Sequence, residues 1–424
     1  MKVGPGPAMW ARRAVLVIVL VGAAVVPSRA ISQHTPGCHG ATCRGAGSVL
    51  WTRRLPGSWI AEGGLAGTVS SQGAAYAAVN TDVAVVGFGS TVAAFDTRTG
   101  HALWQTTVVG VPVGSQIVGV RALGGEVAVG VQPPPGGHAR GRDEVILSAT
   151  TGLQIRIYPS APYGGAIAAD AASTVIVGPH AVTAYANSTG RILWSQPTGQ
   201  AQEAWRVDGQ YVYVAQTSGG DLGSFPVHAV YRINLSTGAE GTLHAGGQGF
   251  AGRLSGAVDG VMLFSGSDGV WAYSAANGKV LWHRSPAVLE LTDAASGTAY
   301  LAANNTLTGI SALTGTVVST APKAVSGSLY WVRDGIALGL DQGALGDAWG
   351  YRVALHKVVW TSPPLPWPHF FVDLSGLGGS ANPASSIVVV ATCAQLGPVA
   401  ATATSPSCRQ PELVAVQTKW ATGP

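Results

Sequence analysis

The sequence predicts an all-β chain folded as an eight-bladed β-propeller of four-stranded blades, with an N-terminal strand closing the ring. Three observations predict it: a composition rich in turn formers and poor in charge, a strand-turn-strand pattern recurring along most of the chain, and an incomplete copy of that pattern at each end.

Composition comes first. Among 424 residues, 59 Gly and 25 Pro accompany 47% hydrophobic and only 10% charged residues. A surface so poor in charge relies on Ser, Thr, Asn, Gln and backbone, as in sandwiches, barrels and propellers. The 24 Lys and Arg against 20 Asp and Glu give a net charge of +4. The cations are scattered rather than clustered, which excludes a nucleic-acid footprint.

Residues 1–30 read as an export signal: Lys2, Arg12 and Arg13, then the apolar run Ala14 to Val26, then Pro27 before Ser28-Arg29-Ala30. The run is shorter than the roughly 20 residues of a spanning helix and suits a signal h-region. Cleavage after Ala30 is one outcome and an uncleaved N-terminal anchor the other. Both put the rest of the chain outside the cytoplasmic membrane, secreted or membrane-attached only through that segment. Residues 31–44 form a linker holding His34, Cys38, His39 and Cys43. Thiolate and imidazole suit zinc or copper, but the spacing matches no standard site, and a small disulfide is the simpler reading. Cys393 and Cys408 flank a loop between two apolar runs, and a disulfide stapling that loop fits an oxidising compartment.

Residues 45–424 carry the repeat. Its clearest copies run Val92 to Trp104 around Gly100, Val182 to Trp194 around Gly190, and Val270 to Trp282 around Gly278. In each, a Thr-Gly or Asn-Gly turn follows an apolar strand, and Leu-Trp ends a short outer strand. Weaker copies put Arg156, Thr242 and Ser319 at the Trp position, and a seventh, Tyr351 to Trp360, has His356 in place of Gly. The eighth copy is split: Gly47 to Trp51 supplies only a last strand, and Leu413 to Gln417 a strand without its partner. The anchors lie 37 to 53 residues apart, a spacing that suits four-stranded blades. Sheets apolar on both faces must stack side by side, and radial closure leaves only short edges. Gly100, Gly190 and Gly278, with Trp51, Trp104, Trp194, Trp282 and Trp360, are accordingly read as blade docking rather than as a site.

The A-x-D-x-x-T-G-x-x-L-W pattern resembles the repeat of pyrroloquinoline-quinone-type propellers. That family includes quinoprotein alcohol dehydrogenases and the non-catalytic lipoprotein of the outer-membrane barrel-assembly machinery. The resemblance spans about Gly45 to Lys419 and is specific at 92–104, 182–194 and 270–282. It implies an eight-bladed ring with inter-blade Trp docking, and the chain resembles the barrel-assembly type more than the dehydrogenases. Quinoprotein enzymes of the family carry an adjacent-cysteine disulfide, a calcium site of Glu, Asn and Asp, and a catalytic Asp. This sequence has no adjacent cysteine pair, and its acidic residues are dispersed, only Asp143-Glu144 being neighbours. There is also no G-x-S-x-G, H-E-x-x-H or P-loop. The sequence therefore points to a non-catalytic, cofactor-free scaffold for a protein or cell-envelope component, with a pyrroloquinoline quinone and calcium enzyme as the alternative.

Against the compact loop Ser265 to Gly269, four second-to-third-strand loops are enlarged: Gln132–Asp143, Thr217–Val227, Leu340–Trp349 and Gln395–Ser407. All four fall on one face. The link Thr361 to Phe371 adds Trp367, His369, Phe370 and Phe371, and with Trp349 these are the expected binding-face aromatics, packing under their own loops being the other reading.

Overall fold

The computed structural model describes residues 46–55, 59–60, 76–79, 387–396, 407–417 and most of 83–371, where the longer gaps are 135–142, 160–164, 199–204, 218–226, 245–248, 323–327 and 341–344. Eight antiparallel four-stranded sheets follow one another and form a closed propeller. Blades 1 to 7 cover residues 76–107, 116–159, 165–197, 205–244, 253–284, 288–322 and 328–361. Blade 8 joins 368–371, 387–396 and 407–417 to the N-terminal strand Val49–Arg54. The only helical turn among the described residues is the 3-10 turn Val353–Leu355.

The middle strands read as unbroken apolar runs because both of their faces are covered. In blade 1, Ala84, Val86, Ala93 and Phe95 pack toward blade 8, whereas the alternating Val85, Val92 and Ala94 pack toward blade 2. A strand's period of two thus supplies two interfaces at once. The same division recurs around the ring, so that each blade interface holds its own apolar cluster.

The recurring Trp and Gly of successive repeats meet across these interfaces. The Trp104 ring lies over Gly152 of the next blade, where a Cβ would stand 2.5 Å from ring carbon Cε3, and Trp104 Nε1 donates to Ala149 O at 2.8 Å. Trp51 over Gly100 and Trp282 over Gly315 repeat the ring contact, donating to Thr97 O at 2.8 Å and Ala312 O at 2.7 Å. Trp194 covers Gly238 in the same way. Where blade 2 has Arg156, its guanidinium lies over Gly190 and donates to Asn187 O and Ser188 O, both at 3.2 Å. Thr242 of blade 4 is too short for this. Arg232 of the neighbouring strand instead donates to Ala275 O at 2.9 Å. These Trp side chains stand near the start of their outer strands, not at the end as the sequence suggested: Trp104 is followed by three further strand residues.

Ring closure rebuilds the repeat's turn from two chain ends. In blade 1, Gly100 N donates to Asp96 O and Asp96 N to His101 O; in blade 8, Gly47 N donates to Gln417 O at 2.7 Å and Gln417 N to Ser48 O at 2.9 Å. Val49 to Arg54 then pairs with Val416 to Glu412, as the split repeat predicted. Trp360 is buried in the blade 7–8 cluster, against which Ala46 and Val49 pack, but its ring lies against Gly350 of its own blade, and a Cβ on Gly47 would meet the backbone of Thr361 instead of an indole.

Candidate binding face

Every blade runs through its sheet in the same order, so second-to-third-strand loops and inter-blade links share one end of the ring, and the Thr-Gly type turns share the other. The four enlarged loops lie on the first end. Their interiors fall largely outside the described residues, but each has a described foot held by its neighbourhood. Pro134, at the start of the blade 2 loop, stands beside Gly114 of the preceding link, with 3.7 Å to a Cβ built there. In blade 4, Val227 bridges to Phe250 of the following link, and Phe250 is fully buried, stacked on Phe264 at 4.9 Å. Residues Leu345–Gly346 of the blade 7 loop pair with Leu365–Pro366, while Ser362 Oγ accepts from Ala348 N at 2.9 Å. The backbone of Ser407 and Cys408 in blade 8 pairs with Ile60 and Trp59.

The aromatics expected on this face are distributed differently. Trp349 is a correction: it is only 2% exposed and packs with Tyr300, Val332 and Tyr351 between blades 6 and 7. Gly339 opposite explains this, since a Cβ there would overlap the Trp349 ring. The absent side chain makes a slot that draws the indole inward. The expected link to Phe371 is also shorter, because Pro368–Phe371 is the inner strand of blade 8, with Phe371 opposite Val390. His369, Phe370 and Phe371 thus belong to a sheet, and their side chains, like Trp367, lie outside the described residues. So do the segment 1–30, the linker residues His34, Cys38, His39 and Cys43, and the Cys408 side chain. Cys393 is buried and disulfide-bonded.

Two features of the face were not anticipated. The link from blade 1 to blade 2, residues 108–115, projects apolar side chains: Val113 is 98% exposed at the tip of a turn closed by Ser115 N to Pro112 O at 3.1 Å. Gly114 at φ +84° permits that turn, and Gln154 clamps the link's base, its amide exchanging bonds with Val109 O at 3.2 Å and Val109 N at 3.3 Å. A Pro-x-Gly turn carrying valines where links are usually polar was the signal in the sequence. On blade 5, the compact loop presents Asp268, which accepts from Trp271 Nε1 at 3.0 Å, while His283 stacks on that indole at 3.9 Å.

Nearer the axis, Arg206 on the inner strand of blade 4 donates through Nε to Ser255 O of blade 5 at 2.9 Å. Burial, followed by the nearby Arg253 charge, lowers its pKa to about 10. No three His, Cys, Asp or Glu side chains converge on a metal position among the described residues.

The sequence matches no family profile and no curated protein. Solved structures do resemble the fold. Sqt1 from Saccharomyces cerevisiae aligns over 89% of this chain and 100% of its own, at 9% identity and a TM-score of 0.54. Quinohemoprotein alcohol dehydrogenase from Comamonas testosteroni aligns over 89% and 77%, at 12% identity and 0.49. BamB from Moraxella catarrhalis aligns over 69% and 96%, at 16% identity and 0.42. The likeness is one of fold.

Proposed function

We propose that the protein is a non-catalytic, cofactor-free extracytoplasmic scaffold that binds a protein or envelope component through the enlarged-loop face. The supporting observation is that all four enlarged loops rise from one end of a rigid ring and are pinned at their feet. Loops on a rigid scaffold are the usual place for recognition. The fully exposed Val113, held by its turn and by the Gln154 clamp, gives the same face an apolar contact point. Val113→Asp with Val109→Ser should abolish capture of a partner from an extracytoplasmic extract and leave the melting temperature within about a degree, because exposed substitutions change stability little. Retained capture would remove the support for this face. The quinone-enzyme alternative is tested by adding pyrroloquinoline quinone and calcium to the purified protein: a bound chromophore with dye-linked dehydrogenase activity would establish it in place of the scaffold.

A further inference from the structure

The end of the ring opposite the enlarged loops carries an apolar rim that nothing in the fold uses. Of the sixteen large apolar side chains exposed among the described residues, thirteen stand in the third-to-fourth-strand turns or on the outer strands that follow them. Ten of them stand on the outer strands just before the docking Trp or the residue that replaces it, and Leu153, Leu313 and Leu355 stand in the turns ahead of those strands. Ile192 and Leu193 are 61% and 56% exposed. Because consecutive strand residues point to opposite faces, exposure of both means that neither face is covered there. Leu103, Leu281, Val318 and Val359 occupy related positions on blades 1, 5, 6 and 7; blade 4, with Glu240 and Gly241, and blade 8, where Leu50 packs into the blade 8–1 cluster, break the series. Exposed apolar surface beyond scattered single residues marks an interaction site.

The charges flanking the rim say what covers it. At this end, outer strands and turns carry the exposed cations Arg53, Arg98, Arg191, Lys279, Arg284 and Lys357. The carboxylates on the same elements are Glu240 and Asp96, and Asp96 Oδ1 already accepts bonds from Arg98 N, Thr99 N and Thr99 Oγ1. Carboxylates of the inner turns sit closer to the axis, Asp208 accepting from Gly260 N at 2.8 Å. The periphery is therefore apolar and cationic, the combination that suits an anionic bilayer surface. The path of the described chain agrees: Gly47 takes the turn position of blade 8, so the strand Val49–Arg54 enters the ring from this end.

We propose that the turn-end rim is a membrane-docking surface that rests the propeller on anionic lipid, with the enlarged loops facing away from it. This goes beyond the loop-face reading and concerns the opposite end of the molecule, so either can fail alone. In the full-length chain, Leu193→Cys and Val359→Cys, labelled with an environment-sensitive fluorophore, report on the rim, and Val113→Cys on the loop face. No described cysteine is free to compete for label. With vesicles of phosphatidylglycerol and phosphatidylcholine, the two rim probes should shift to the blue and be quenched by acyl-brominated lipid, while the Val113 probe should do neither. Because quenching reads depth, tethering by residues 1–30 alone would leave all three probes unquenched and overturn the proposal. A blue shift without vesicles that grows with protein concentration would also overturn it, since a second copy would then cover the rim. On phosphatidylcholine alone, rim quenching should fall about fivefold or more, the effect of a single cation near an anionic surface; equal quenching on both would refute the role of the cations.

Discussion

Gly152 and Gly209 both stand at positive φ, +69° and +57°, but their surroundings differ. A Cβ on Gly209 would meet nothing within 4 Å, whereas on Gly152 it would stand 2.5 Å and 2.6 Å from two carbons of the Trp104 ring. Gly209→Ala should therefore cost only the left-handed backbone term, about 1 kcal/mol. Gly152→Ala adds the displacement of a ring that its bond to Ala149 O holds in place, about 1–3 kcal/mol, for a total of about 2–4. Trp104→Ala alone loses one hydrogen bond and a half-buried indole, roughly 2–3 kcal/mol, below the 3–5 of a fully buried aromatic. Once the ring is gone, Gly152→Ala should fall back to about 1 kcal/mol, leaving a coupling of about 1–3 kcal/mol between the two sites. Urea denaturation of the four chains, with midpoints compared at a common slope, gives the cycle. If Gly152→Ala costs no more than Gly209→Ala, or if the two costs at the 104–152 pair simply add, the ring does not dock as described.

Deleting residues 46–54 should sharply lower the melting temperature, because blade 8 loses its outer strand and Val414 and Val416 lose cover; an unchanged melt by calorimetry would contradict closure. Cys393 is expected to pair with Cys408, closing a loop whose cross-link contributes about 3 kcal/mol in the chain-entropy model; non-reducing peptide mapping that joins either residue to Cys38 or Cys43 would overturn this. At alkaline pH, burial raises the Tyr213 and Tyr300 phenols to about 12. The unfolded phenols lose their protons from about pH 10, so between pH 10 and 12 the unfolded state binds fewer protons and stability falls as pH rises. Tyr213→Phe should therefore flatten the loss of urea midpoint between about pH 9.5 and 11.5, a range that brackets the unfolded phenol pKa, and an unaltered slope would show that this phenol does not drive it.

Much of the ring was legible because its causes are local and repeated. The Gly turns, the apolar runs and the Leu-Trp pairs each report a periodicity, and the split repeat at the termini required a closing partner that Val414 and its neighbours supply. Arg156 could be recognised as standing at the Trp position, but not that its guanidinium would dock on Gly190 as the indoles do elsewhere. The binding face was legible as loop length and illegible as chemistry. Trp349 looked like a surface aromatic until Gly339, on the neighbouring strand, opened a slot beneath it.

What the sequence by itself determined was the fold class, the number of blades and the end of the ring where extra length was added, since these follow from patterns short enough to be read along the chain. Only the tertiary structure decided which apolar residues are covered. Val113 and Leu193 are as apolar as Val86, yet Val86 is fully buried between two blades while the others face solvent. Burial depends on the neighbouring blade, and that neighbour exists only once the ring has closed.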